Sequence, residues 1–119
     1  MHLEPPVQYL IESDFRPDGS ILPSLDRQPL FVMIQSSQCG HCETAKPDLQ
    51  RLADSGLVRV MTIQVDGDHD GERRLSEMIH LIYPDIVGFP SYMMFVNGNK
   101  VPYTGRRDYE SMRRFVEKF

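Results

Sequence analysis

Cys39 and Cys42 are the only cysteines in the chain, and they stand three residues apart in the run Cys39-Gly40-His41-Cys42. Residues at that spacing in the first turn of a helix face one side, with Cβ atoms about 5–6 Å apart, close enough for a disulfide that opens and closes with little movement. At a helix start, Cys39 would lie against N–H groups without an intrahelical partner and against the positive end of the helix dipole, both of which favour thiolate over thiol. Cys42, one turn further in, would be more enclosed and is placed to resolve a mixed disulfide formed at Cys39. Gly40 presents no side chain to an incoming polypeptide, and His41 can bring positive charge beside the Cys39 sulfur. Stabilising the reduced, thiolate form in these ways makes the pair a better oxidant.

Other readings of the same residues have to be weighed. A single local pair cannot staple a fold, so the cysteines read as a site rather than a scaffold. The same spacing forms half of many zinc sites, but His2, His41, His69 and His80 supply no second pair at finger or ribbon spacing, and no metal is expected. Asp66-Gly67-Asp68-His69-Asp70-Gly71 has the outline of a calcium loop without the bidentate Glu at its twelfth position, so a solvated turn is the expectation. His80 falls on the polar side of a helical pattern and reads as surface.

To hold the pair, a strand must end and a helix begin near residue 39. Leu30-Phe31-Val32-Met33-Ile34 is an unbroken apolar run, as expected of a strand buried on both faces. Ala45, Leu49, Leu52 and Ala53 mark one face of a helix from Cys39 to about Asp54, with Gly56 as its stop. Val58 to Val65 reads as a second buried strand, and the three elements form a βαβ unit with parallel strands. Leu75, Met78, Ile79 and Ile82 predict a helix ended by Pro84. Ser91 to Val96 and Lys100 to Thr104 flank Asn97-Gly98, the dipeptide of a tight antiparallel hairpin. Tyr109, Met112, Phe115, Val116 and Phe119 predict a closing helix. Before these, Val7 to Ile11 could add a short strand after an extended Pro5-Pro6 start, and residues 13 to 29, with Pro17, Pro23 and Pro29, read as loop. Met61, Met78, Met93, Met94 and Met112 read as core filler.

At 119 residues and 40% hydrophobic composition, one domain over 1–119 is expected. Thirteen Lys and Arg against seventeen Asp and Glu leave a charge of −4 and no basic stripe, so nucleic acid is not an expected partner. No apolar run approaches the roughly 18 residues that span a bilayer. Glu4, Pro5, Pro6, Glu12 and Asp14 interrupt any signal-peptide core, which makes the cytoplasm the default location and an ER or periplasm-like compartment the alternative if a leader was trimmed.

Over about residues 7 to 119 the sequence resembles the thioredoxin fold, and within it the catalytic domains of protein disulfide isomerase. Cys39-Gly40-His41-Cys42 is identical to their active-site tetrapeptide, and Lys46-Pro47 is similar to the end of that motif. Gly88-Phe89-Pro90-Ser91 resembles the family's cis-proline loop, which implies a cis Phe89-Pro90 bond facing the cysteines and substrate contacts at Gly88, Phe89 and Pro90. Phe89 divides evenly between packing and contact with a hydrophobic substrate. Tyr103, Gly105 and Arg107 follow the isomerase pattern Tyr-x-Gly-x-Arg, implying that Arg107 eases deprotonation of Cys42, with Arg106 as a competitor. Three positions depart from the family: Met33 stands where a buried acid is usual, Gln38 where a tryptophan is, and Glu43 where a basic residue often follows the second cysteine. A carboxylate at Glu43 would tend to raise the pKa of Cys42, whereas loss of the acid at 33 favours nearby thiolates.

The resemblance implies an α/β thioredoxin fold, a mixed central sheet of four to five strands with helices on both faces. It implies a thiol–disulfide oxidoreductase that forms, breaks or isomerises disulfides, with a redox-active disulfide and no other cofactor. Its expected partners are unfolded or cysteine-containing polypeptides and an upstream thiol oxidant or reductant, and a monomer is expected. A thioredoxin-like reductase and a non-enzymatic, redox-regulated interaction module are the alternatives. Leaderless members of the family in large DNA viruses would reconcile the tetrapeptide with a cytoplasmic location.

Overall fold

The computed structural model describes residues 1–67 and 71–119; Asp68, His69 and Asp70, and with them most of the calcium-like run, lie outside the described residues. In chain order the elements are β1 (Gln8–Tyr9), a 3-10 turn (Glu12–Asp14), β2 (Leu30–Gln35), α1 (Gly40–Asp54), β3 (Arg59–Gln64), α2 (Leu75–Ile82), β4 (Ser91–Val96), β5 (Asn99–Tyr103) and α3 (Tyr109–Val116). The strands form one five-stranded sheet in the order β1-β3-β2-β4-β5. β2 pairs parallel with β3 and antiparallel with β4, so the sheet is mixed, as the sequence implies.

β2 is buried along its whole length because alternate side chains enter different layers. Phe31 and Met33 pack with Cys42, Ala45, Leu49 and Leu52 of α1 and with Met112 and Val116 of α3. Leu30, Val32 and Ile34 pack with Leu75, Ile79 and Ile82 of α2 on the other face. Leu49 and Leu52 are fully enclosed, and burial of each contributes about 1.5–3 kcal/mol toward holding α1 on the sheet. Met61, Met93, Met94 and Met112 are core residues, while Met78 packs at its margin.

The hairpin turns on Asn97 and Gly98, both at positive φ (48° and 82°), the combination that matches the twist of paired antiparallel strands. Pro102 lies on β5, an edge strand, where its missing N–H costs no ladder bond.

The structure differs from the sequence-based elements at the chain ends. Pro5-Pro6 is cis, and the Val7 N–H donates to the Glu4 carbonyl at 3.0 Å, so this segment turns instead of running extended. β1 is accordingly only two residues long, paired parallel with β3 at Gln8–Met61 and Tyr9–Thr62. α3 ends at Val116, and Lys118 and Phe119 donate to the carbonyls of Phe115 and Val116, three residues back, as a tightened final turn.

Candidate active site

Parallel strands end on the same side, and β2 and β3 both end where α1 begins. The register pairs Gln35 with Gln64, and the Val65 N–H donates to the Gln35 carbonyl at 3.0 Å, which carries Asp66 alongside the segment entering α1. Asp66 accepts from the Ser37 N–H at 2.8 Å, the Ser37 hydroxyl at 2.5 Å and the Ser36 hydroxyl at 3.3 Å. Partial burial opposes ionisation of this carboxyl, but the Ser37 bonds outweigh it and hold its pKa below the ordinary value. Asp66 thus clamps the two residues that precede Gln38 and Cys39. Sequence reading placed it in a solvated turn; the sign it missed was the parallel register, which brings a residue two beyond β3 against a residue two beyond β2.

Cys39 is the N-cap of α1, in extended conformation (φ −118°, ψ 106°), and its sulfur accepts the Cys42 N–H at 3.1 Å. The cysteine therefore takes the place of the Ser or Asp that usually satisfies the first free amides of a helix. Cys39 and Cys42 are joined as a disulfide with Cα atoms 5.2 Å apart. Their environments differ: Cys39 is partly exposed, whereas Cys42 is 0% exposed among Met33, Ala45 and Tyr92. Gly40 and His41 are exposed between them, and a Cβ at Gly40 would meet nothing within 4 Å.

The Phe89-Pro90 bond is cis. It brings the Phe89 carbonyl oxygen to 3.5 Å from the Cys39 sulfur, a distance at which the reduced thiol can donate to it. Pro90 is buried, Gly88 is exposed, and the half-buried Phe89 packs against the core clusters on both faces of the sheet. The Ser91 hydroxyl donates to the Gly88 carbonyl at 2.6 Å and steadies the loop. Just before it, Val87 is fully exposed, an apolar side chain in solvent two residues ahead of Phe89. The sequence signal for Val87 was the apolar pair Ile86-Val87 stranded between Pro84-Asp85 and Gly88, outside any strand or helix.

Arg107 lines a notch beside α1 together with His41, Thr44, Ala45, Asp48 and Asp108. Arg106 is turned elsewhere, ion-paired with Asp108 at 3.6 Å, and its carbonyl accepts from the Tyr103 hydroxyl. Of the two arginines, Arg107 is the one against the active-site helix.

Glu43, one residue beyond Cys42, is ion-paired. Its carboxylate receives Lys46 Nζ at 2.7 Å and the Met1 ammonium at 2.6 Å. These bonds, Lys46 first, hold its pKa at about 2 and offset its negative charge. Lys46 is itself buried, with Nζ also donating to the Met1 carbonyl at 2.9 Å. Met33 is fully enclosed in the layer beneath Cys42, so no carboxylate stands at that position. Among the described residues no group of three or more His, Cys, Asp or Glu is arranged to hold a metal ion.

Comparison with known proteins bears on this arrangement. Thioredoxin-like protein 453L of Invertebrate iridescent virus 6 is 36% identical over 131 aligned positions, which cover 97% of this chain and 95% of that protein. The chain belongs to the thioredoxin-like family. Protein disulfide isomerase-like 5-2 of Oryza sativa subsp. japonica is 31% identical over 93 positions, covering 76% of the thioredoxin-like chain and 20% of the rice protein. Among solved structures, the J-Trx1 fragment of ERdj5 superposes with a TM-score of 0.72 at 25% identity, over 96% of this chain and 50% of that one. No family model matches the chain. A thioredoxin-like fold with a disulfide-capable Cys39–Cys42 pair supports a thiol–disulfide oxidoreductase.

Proposed function

We propose that this thioredoxin-like chain forms and rearranges disulfides in polypeptides, in the manner of a protein disulfide isomerase domain, with Cys39 as the attacking sulfur and Cys42 as the resolving one. The observation that carries the reading is the asymmetry of the pair: Cys39 is partly exposed and accepts a helix-terminal N–H, whereas Cys42 is buried directly behind it. An anion forms most cheaply at the first sulfur, and only that sulfur can be reached by a substrate. In the oxidising direction a substrate thiolate attacks Cys39 and releases Cys42; the mixed disulfide is then opened by a second substrate thiol. In the reverse direction Cys42 closes on Cys39 and the substrate departs reduced.

Substrate is read as an extended cysteine-containing segment laid along Gly88-Phe89-Pro90, with Val87 as apolar contact, by addition of a strand. The single redox-active disulfide needs no further cofactor, only an upstream thiol oxidant or reductant. Residues 1–119 act in this reading as one domain and a monomer.

Oxidation and isomerisation are favoured over reduction by His41, exposed between the cysteines, where positive charge stabilises the reduced form. Reference potentials are about −180 mV for protein disulfide isomerase and about −270 mV for thioredoxin. Equilibration of the pair against glutathione, with refolding of a scrambled substrate and reduction of insulin measured in parallel, tests the reading. A potential near the first value with refolding activity supports it. A potential near the second, with insulin reduction alone, favours the reductase that the name of the viral relative also suits.

A further inference from the structure

A buried thiol that must attack has to lose its proton, and the core layer that contains Cys42 is almost wholly apolar, with Phe31, Met33, Ala45, Leu49 and Met94 among its members. Such surroundings raise a thiol pKa. One polar atom in that layer is unspent. Tyr92 is 2% exposed, and its hydroxyl, fully enclosed, has no hydrogen-bond partner. It sits on β4 directly opposite Met33, in the cluster that contains Cys42. Buried oxygens without partners also occur on Gln35 and Glu72 among the described residues. Amide and carboxylate oxygens accept, however, whereas a hydroxyl can donate to an anion. An orphan buried hydroxyl costs stability, so its retention asks for a use.

The groups that face it point to one. The Tyr92 hydroxyl feels Arg107 and Asp48, both on the notch wall, and Tyr103 from β5. His41 and Asp108 complete the titratable lining of that notch. Burial, more than any of these charges, pushes the Tyr92 pKa up, so it remains a protonated donor at neutral pH.

We propose that the Tyr92 hydroxyl steadies the Cys42 thiolate during resolution of the mixed disulfide. The inference rests on the resolving role proposed above for Cys42. In the step, Cys42 gives its proton to solvent, the Cys42–Cys39 bond forms, and the bond from Cys39 to the substrate sulfur breaks. The substrate sulfur leaves as a thiolate with the electron pair, and no other oxidant is consumed.

The test uses the full chain, reduced and then mixed with oxidised glutathione, with release of the second glutathione followed against pH. Tyr92→Phe should keep or raise Tm, because it removes an unpaired buried group. It should slow release at neutral pH about tenfold, moving the pH profile up by about one unit, while the first attack at Cys39 keeps its rate. Tyr103→Phe, which removes the hydroxyl bonded to the Arg106 carbonyl, serves as control: it should lower Tm and leave the profile in place. An unmoved profile in Tyr92→Phe, or an equal shift in Tyr103→Phe, overturns the inference while leaving the resolving role intact. A native chain that never releases the second glutathione overturns both.

Discussion

The Phe89 carbonyl oxygen stands 3.5 Å from the Cys39 sulfur, which also accepts the Cys42 N–H at 3.1 Å. The two contacts pull the titration of Cys39 in opposite directions: the carbonyl rewards a thiol that can donate, and the amide rewards an anion that can accept. Hydrogen bonds to a charged partner are roughly twice as strong as neutral ones, and the helix dipole acts on the same side as the amide. On that balance the anion is the expected form, with the carbonyl moderating the outcome.

The cysteines should separate by role. Cys39→Ser is expected to abolish exchange with oxidised glutathione, a loss on the order of a thousandfold or more, as when a nucleophile itself is removed. Cys42→Ser should still attack and then accumulate the mixed disulfide, visible as a glutathione adduct by mass spectrometry. Accumulation of the adduct in Cys39→Ser instead would reverse the assignment.

Asp66 should matter in proportion to its ionisation. Its folded pKa lies below the ordinary 3.8, so it stabilises the fold where the unfolded carboxyl is already ionised, above that value. The contribution disappears as pH falls through the depressed folded value. Asp66→Asn should lower the denaturant midpoint at pH 7 and narrow its gap to the native chain in acid. An equal gap at all pH values would show that the clamp on Ser36 and Ser37 does not depend on charge.

Within the sheet, the Gln35 side-chain amide donates to the Thr62 hydroxyl at 2.8 Å, and that hydroxyl donates to the Met33 carbonyl at 2.8 Å. Thr62→Val removes both contacts and strands the buried Gln35 amide, at an expected cost of about 1–3 kcal/mol in urea unfolding. Gln35→Leu combined with Thr62→Val should recover part of that loss, since neither polar partner then remains buried alone.

Lys46 sets the charge next to the site. In Lys46→Met the Glu43 carboxyl loses the larger of its two bonds, so its pKa should climb from about 2 toward the ordinary 4.5, followed by NMR titration. A Glu43 pKa left at about 2 would assign the depression to the Met1 ammonium alone.

These predictions draw unequally on what the sequence displays. The βαβ unit and the hairpin were legible because buried strands, an amphipathic helix and Asn97-Gly98 each leave a local pattern. The cysteines were legible because their chemistry depends on a spacing of three. Contacts made by register or by a chain end were not. Asp66 reaches Ser37 only once β2 and β3 are paired, and the second of Glu43's cationic partners, after the nearby Lys46, is the Met1 ammonium 42 residues away. The orphan hydroxyl of Tyr92 was hidden for the same reason, since an apolar strand with one tyrosine looks like any other until its neighbours are known.

The most direct measurement is the pKa of Cys39 in the reduced protein, read from the pH dependence of its alkylation with Cys42 replaced by serine. A helix-capping sulfur should ionise at least about one unit below the ordinary thiol value near 8.5. A Cys39 that titrates at or above about 8.5 would contradict the account at its root.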